Sequence, residues 1–143
     1  MRIGFTCGAF DLLHAGHVLM LQEASEQCDC LIVGLHIDPS CERKEKNSPV
    51  QSVYERYLQL DAVRFVDEVV PYETEEDMHR LLRILRINVR IVGEEYRDKE
   101  LSGRELCNEL GIEIHYNSRS HTFSSTELRK RVQNATNGLI TTF

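Results

Sequence analysis

No apolar run among the 143 residues approaches the roughly 20 needed to span a membrane. Positive charge is also scarce. Seventeen Lys and Arg face 23 Asp and Glu, leaving a net charge of -6. Nucleic-acid binding generally needs a basic face, so that class of partner is not expected. Any local cluster of cations therefore stands out against the acidic background. The N-terminus has one arginine and then enters a strand pattern, without the basic and apolar regions of a secretory leader. The five cysteines, Cys7, Cys28, Cys30, Cys41 and Cys107, are odd in number and form no disulfide framework. Cys28 and Cys30, the closest pair, lack the spacing and the second pair of a structural zinc site. Reduced thiols and a cytoplasmic location are the expectation. There is no compelling nucleophile–base pair of the serine-hydrolase kind, so the chemistry is not expected to pass through a covalent enzyme intermediate.

What the sequence does have is alternation. Short apolar runs at 3–7, 30–35, 66–71, 89–92 and 112–116 read as strands. Between them lie helix-like stretches, three of which open on a capping-box spacing: Ser52-x-x-Glu55, Thr74-x-x-Asp77 and Ser124-x-x-Glu127. Strands alternating with helices predict an α/β fold, a Rossmann-like open parallel five-stranded sheet with helices on both faces. The chain reads as a single domain over residues 1–133 with a polar tail at 134–143, where fraying is expected. In such sheets ligands bind beyond the carboxyl ends of the strands, and three candidate stretches follow strands.

The most informative stretch is Gly8-Ala9-Phe10-Asp11-Leu12-Leu13-His14-Ala15-Gly16-His17. It sits where the first strand passes into a helix. If His14 to His17 open that helix, positions i and i+3 share a face and both imidazoles point the same way. Free N–H groups and the positive end of the helix dipole lie beside them, a ready phosphate site. The second stretch, Glu42-Arg43-Lys44-Glu45-Lys46, reads by composition as a solvated loop of mixed charge, but its two lysines sit at the ligand edge of the sheet. The third, Arg119 to Thr126, ends in three hydroxyls, Ser124, Ser125 and Thr126, at a helix start. One cap needs only one of them; the others suit phosphate or metal-bound oxygens.

The run Gly-x-Phe-Asp-x-x-His-x-Gly-His resembles the signature of the nucleotidyltransferase superfamily that includes the cytidylyltransferases, the glycerol-3-phosphate cytidylyltransferase group most closely. The likeness extends from Ile3 to about Arg131, and Arg119 to Thr126 resembles that family's Arg-Thr-x-Gly-Ile-Ser-Thr-Thr motif, with Thr122, Phe123 and Ser125 as departures. The resemblance implies His14, His17, Lys46 and Arg119 as catalytic residues. It places Gly8, Ala9, Phe10, Asp11, Gly16, Asp38, Ser124, Ser125 and Thr126 at the nucleotide, and Lys44 and Arg56 at the acceptor. It further implies CMP transfer from CTP to a glycerol-3-phosphate-like acceptor with release of pyrophosphate, magnesium held mainly by the nucleotide's phosphates, and a homodimer. Acidic residues at Glu73, Glu75, Glu76 and Asp77 suit a simple phosphate acceptor poorly, and some sugar-phosphate adenylyltransferases of the superfamily are acidic there. An adenylyltransferase using ATP on a sugar phosphate (ADP-heptose type), or on a riboflavin- or pantetheine-type phosphate, is thus an alternative. A non-catalytic nucleotide-binding protein is a further one.

Overall fold

The run from Leu31 to Leu35 is apolar without a break because no face of it meets water: all five residues are buried in strand β2 (Cys30–His36). In the computed structural model, which describes residues 1–118 and 121–142 and side chains through 137, β2 lies beside β1 (Ile3–Gly8). The remaining strands are β3 (Glu68–Tyr72), β4 (Val89–Gly93) and β5 (Glu113–Asn117). The sheet order is β3-β2-β1-β4-β5 and every pairing is parallel. The chain builds outward from β1 to β3, then returns to the other side of β1, so strand order reverses between β1 and β4.

Helices α1 (Ala15–Ser25) and α2 (Val53–Asp61) cover one face, where Leu21, Ala24 and Leu60 pack with Val33, Leu35 and Ile91. Helices α3 (Glu75–Ile84) and α4 (Arg104–Leu110) cover the other, where Met78, Leu82 and Cys107 meet Phe5 and Ile32. Alternate strand residues serve opposite cores, as the period of two requires. Both capping boxes at Ser52 and Thr74 form, each with its reciprocal pair of bonds. Helix α5 (Ser125–Thr142) does not stop at 133 but continues through the stretch expected to fray. Among the described residues no helix is long and apolar enough to cross a membrane.

Two details of the turn after β1 escape any periodicity argument. Phe10 and Leu12 both adopt left-handed backbone, at φ 49° and 52°. Side chains with a Cβ resist that region at about 1–2 kcal/mol each. The surroundings offset the cost. The Asp11 carboxylate accepts from the N–H groups of Val50 at 2.8 Å and Gln51 at 2.9 Å, and the Leu12 N–H donates to Gln51 Oε1 at 2.7 Å. From the far end of the chain, Arg129 reaches Asp11 at 3.2 Å.

Candidate active site

At the carboxyl ends of the strands lies an open cleft of about 670 Å³, a volume in the range of small-molecule sites. His14 and His17 border it, their rings 4.0 Å apart between centroids and inclined by 32°. Their juxtaposition has a local cause. His14 is the N-cap of α1, and its Nδ1 accepts from the Gly16 N–H at 3.0 Å and from the N–H of His17. In return, His17 Nδ1 accepts from the His14 N–H at 3.2 Å. This is a capping box built from two imidazoles rather than Ser and Glu. It revises the expectation of free helix N–H groups, because the caps take up those of His14, Gly16 and His17. It also sets the tautomer: with Nδ1 accepting in each ring, a neutral imidazole carries its hydrogen on Nε2. Burial, and then the neighbouring His14, push the pKa of His17 down to about 4, with Asp11 pulling weakly the other way. At neutral pH His17 is an uncharged Nε2–H donor.

The depressed pKa has a stability consequence. The unfolded ring titrates near 6.5 and the folded one near 4. Between these values the unfolded chain takes up a proton that the native state refuses, so stability falls as pH falls through the window, by about 3 kcal/mol in all, and is unaffected above it. We expect wild type to lose about 2 kcal/mol more than His17→Gln between roughly pH 7.5 and pH 5, measured by urea denaturation. Equal losses in both proteins would contradict this account of the ring.

Gly16 is required by close approach rather than by backbone angle. A Cβ there would lie 2.8 Å from His14 Cε1 and 3.0 Å from both His121 Cε1 and Phe123 Cβ. The missing side chain lets the segment before α5 press onto the signature turn. His121 and Phe123 stack at 5.3 Å and both border the cleft. His121 is thus a third imidazole of the site that the sequence reading did not single out.

Gly8, Ala9, Phe10, Asp11, His14, Gly16, His17, Lys46, Ser124 and Ser125 all come together around the cleft. Ser124 also caps α5, accepting from the Glu127 N–H at 3.1 Å. Arg119 lies outside the described residues. Four other expected residues do not line the cleft. Thr126 is exposed on the first turn of α5. Asp38 caps a short 3₁₀ turn, accepting from the Ser40 N–H at 3.0 Å and hydroxyl at 2.6 Å; those bonds hold its carboxyl below the usual range.

Lys44 is exposed and does not line the cleft, and the cation of this stretch that turns inward beside Lys46 is Arg43. The reason is a pair of turn bonds, Arg43 N–H to the Pro39 carbonyl and Lys46 N–H to the Arg43 carbonyl, each 3.0 Å. In a helix-like turn, residues three apart share a side and residues two apart do not. Arg43 and Lys46 therefore both face the cleft, and Lys44 faces away.

Arg56 is the clearest correction. Expected at the acceptor, it is 1% exposed, and its guanidinium donates to the carbonyls of Gln51, Ala9, His36 and Ile37 at 2.6–3.2 Å. It laces together the chain segments that frame the cleft instead of reaching into it.

Against known proteins, a model described as cytidylyltransferase-like matches residues 5–131. The chain is 42% identical over 112 residues to the bifunctional protein HldE of Wolinella succinogenes, covering 78% of this chain and 23% of that one. It is 40% identical over 132 residues to the HldE of Nitrobacter hamburgensis, covering 92% and 27%. It thus spans about a quarter of the length of these relatives. A solved lipopolysaccharide core biosynthesis protein from Thermoplasma volcanium shares the fold, with a TM-score of 0.70 at 22% identity over 85% of this chain and 99% of that one.

Proposed function

The chain belongs to the cytidylyltransferase-like family of nucleotidyltransferases, and from that premise we propose that it moves an adenylyl group from ATP to a sugar phosphate, releasing pyrophosphate. The observation that carries the reaction type is the imidazole pair, two rings 4.0 Å apart at the cleft, each with Nε2 as its donor atom in the neutral form. The similarity to HldE proteins favours the ADP-heptose type of acceptor and ATP over a glycerol phosphate and CTP. The acidic start of α3, Glu75, Glu76 and Asp77, agrees with an acceptor recognised through more than its phosphate.

The step needs no covalent help. An oxygen of the acceptor's phosphate, already anionic, attacks the α-phosphorus; the bond to the bridging oxygen breaks; pyrophosphate leaves with the electron pair. No proton need move at that moment. The protein aligns the two phosphates and stabilises the charge that spreads over the α-phosphoryl oxygens. The Nε2–H groups of His14 and His17 donate to those oxygens, and Lys46 lies against the departing phosphates. A magnesium ion would add charge neutralisation there. Such an ion would be carried in mainly by the triphosphate, keeping several of its waters.

A pyrophosphate-release screen of ATP, CTP, GTP and UTP against phosphorylated acceptors tests the reading. ATP with a sugar 1-phosphate should turn over fastest. Fastest turnover of CTP with glycerol 3-phosphate would replace it with cytidylyl transfer. Nucleotide binding with no pyrophosphate from any pair would make the protein a binding module.

A further inference from the structure

The segment before α5 brings to the signature turn an imidazole that the chemistry above does not use. His121 occupies the open position of the Arg-Thr-x-Gly-Ile-Ser-Thr-Thr motif, so the family resemblance assigns it no role. It is half-buried and borders the cleft. Its Nδ1 accepts from the Phe123 N–H at 3.1 Å, and its ring stacks on Phe123 with 5.3 Å between centroids. These two contacts hold the ring plane and set the tautomer. With Nδ1 accepting, the neutral imidazole carries its hydrogen on Nε2, as in His14 and His17. Gly16 brings the rings together. A Cβ built there would stand 2.8 Å from His14 Cε1 and 3.0 Å from His121 Cε1, so those two carbons are less than about 6 Å apart. Cε1 is bonded to Nε2, and the donor edges of both rings therefore gather over the same glycine. Among the described residues the sealed side-chain atoms without a partner are Gln59 Oε1, Arg90 Nε and Asn117 Oδ1. His121 Nε2 also lacks a partner among those residues but is not one of the sealed atoms; it opens on the cleft.

We propose that His121 is a third imidazole of the nucleotide site, its Nε2–H donating to the β-phosphate, the group that departs as pyrophosphate. The assignment rests on the nucleotidyl-transfer reading above and extends it to a named residue and a named phosphate. His14 and His17 give one donor to each non-bridging oxygen of the α-phosphoryl group. A third ring beside His14 then has the next phosphate within reach. The segment that carries it runs on into Ser124 and Ser125, which border the same cleft. Phosphates beyond the α position thus meet a wall made by residues 121–125. As the bridging bond breaks, charge builds on the β-phosphate oxygens. A hydrogen bond to an anionic oxygen strengthens as that charge grows, so the contact aids departure as well as binding. The absent side chain of Gly16 is what admits the third ring. Phe123 acts as a positioning residue, through its N–H and its stacked ring.

The test separates the two ring nitrogens. His121→Asn offers an oxygen near the place of Nδ1, able to accept from the Phe123 N–H as in an Asx turn, and nothing at the place of Nε2. His121→Gln carries an amide N–H to the place of Nε2 and gives up the turn bond. Binding of ATP, AMP and pyrophosphate to the whole chain is measured by calorimetry with magnesium present. His121→Asn should weaken ATP and pyrophosphate about tenfold, the scale of a hydrogen bond to a charged group, and AMP less than about twofold. His121→Gln should recover most of the lost affinity. With the best acceptor, kcat should fall in His121→Asn by at least the same factor and recover in the same order. A side chain that only shapes the turn gives the reverse ranking, with Asn close to wild type and Gln impaired, and that ranking would overturn the proposal. An equal loss for AMP would do the same, since AMP has no β-phosphate. A wild type that binds ATP and releases pyrophosphate, with both variants unchanged, would remove His121 and leave the transfer reading standing. A wild type that binds neither ATP nor pyrophosphate would overturn both.

Discussion

Replacing His17 by alanine is expected to lower kcat by at least about 10²-fold, the loss typical of a donor aimed at charge that develops in the transition state. The KM for the nucleotide should change far less, because the ground-state triphosphate keeps the rest of the cleft. Two features of the structure sharpen the expectation. His17 is neutral, so its deletion removes a hydrogen bond and not a cation, and the rate loss should depend little on ionic strength. His17 is also half of the imidazole cap of α1, so the alanine variant should lose about 1 kcal/mol of stability as well. His17→Asn offers another acceptor to the His14 N–H, and should recover part of that stability without recovering the rate. Steady-state kinetics and thermal denaturation on the same samples separate the two effects. A folded alanine variant within a few-fold of the wild-type rate would remove His17 from the chemistry.

The second large effect is structural. Arg56→Ala is expected to cost about 3–5 kcal/mol, the usual penalty for breaking a buried charged network. Four carbonyls lose their donor together, and buried carbonyls left unpaired are each worth about 1–3 kcal/mol. Burial holds the pKa of Arg56 below its ordinary value, with Asp11 and Asp38 pulling it back; the group nevertheless remains a cation at any physiological pH. Lysine should rescue little, because a single ammonium cannot span carbonyls on three segments. The urea midpoint of unfolding measures it. The reading from sequence, in which Arg56 contacts the acceptor, makes the opposite forecast: normal stability with a raised acceptor KM. The two outcomes do not overlap.

The contrast shows what could be read from residues alone. Strand β2 was legible because burial on both faces demands an unbroken apolar run. The starts of α2 and α3 were legible because reciprocal caps need specific side chains three apart. The histidine pair was legible for the same reason of spacing. Arg56 was not, because nothing local distinguishes a surface arginine of an amphipathic helix from one that turns inward to meet carbonyls 19, 20 and 47 positions away. The choice of Arg43 over Lys44 depended on two turn bonds in a loop whose composition predicts none. The beginning of β3 shifted from Val66 to Glu68 because Asp67 reaches across to cap β2, its carboxylate accepting from the Leu31 N–H at 2.7 Å. Arg90 and Asn117, buried polar residues at the cleft, sit in strands where alternation predicts only whether a side chain faces inward. That an inward position would be polar follows from the ligand cleft, not from the strand.

The left-handed turn at Phe10 and Leu12 bears on how the protein is made. Its unfavourable angles are offset by groups 39 to 40 positions later, and by Arg129 at a separation of 118. Within this domain the ribosome makes the histidine segment well before the helix that braces it. The nascent domain can assemble its strands while still tethered, yet the nucleotide cradle reaches its working shape only after α5 has cleared the exit tunnel. Competence for chemistry thus waits on the last helix of the domain.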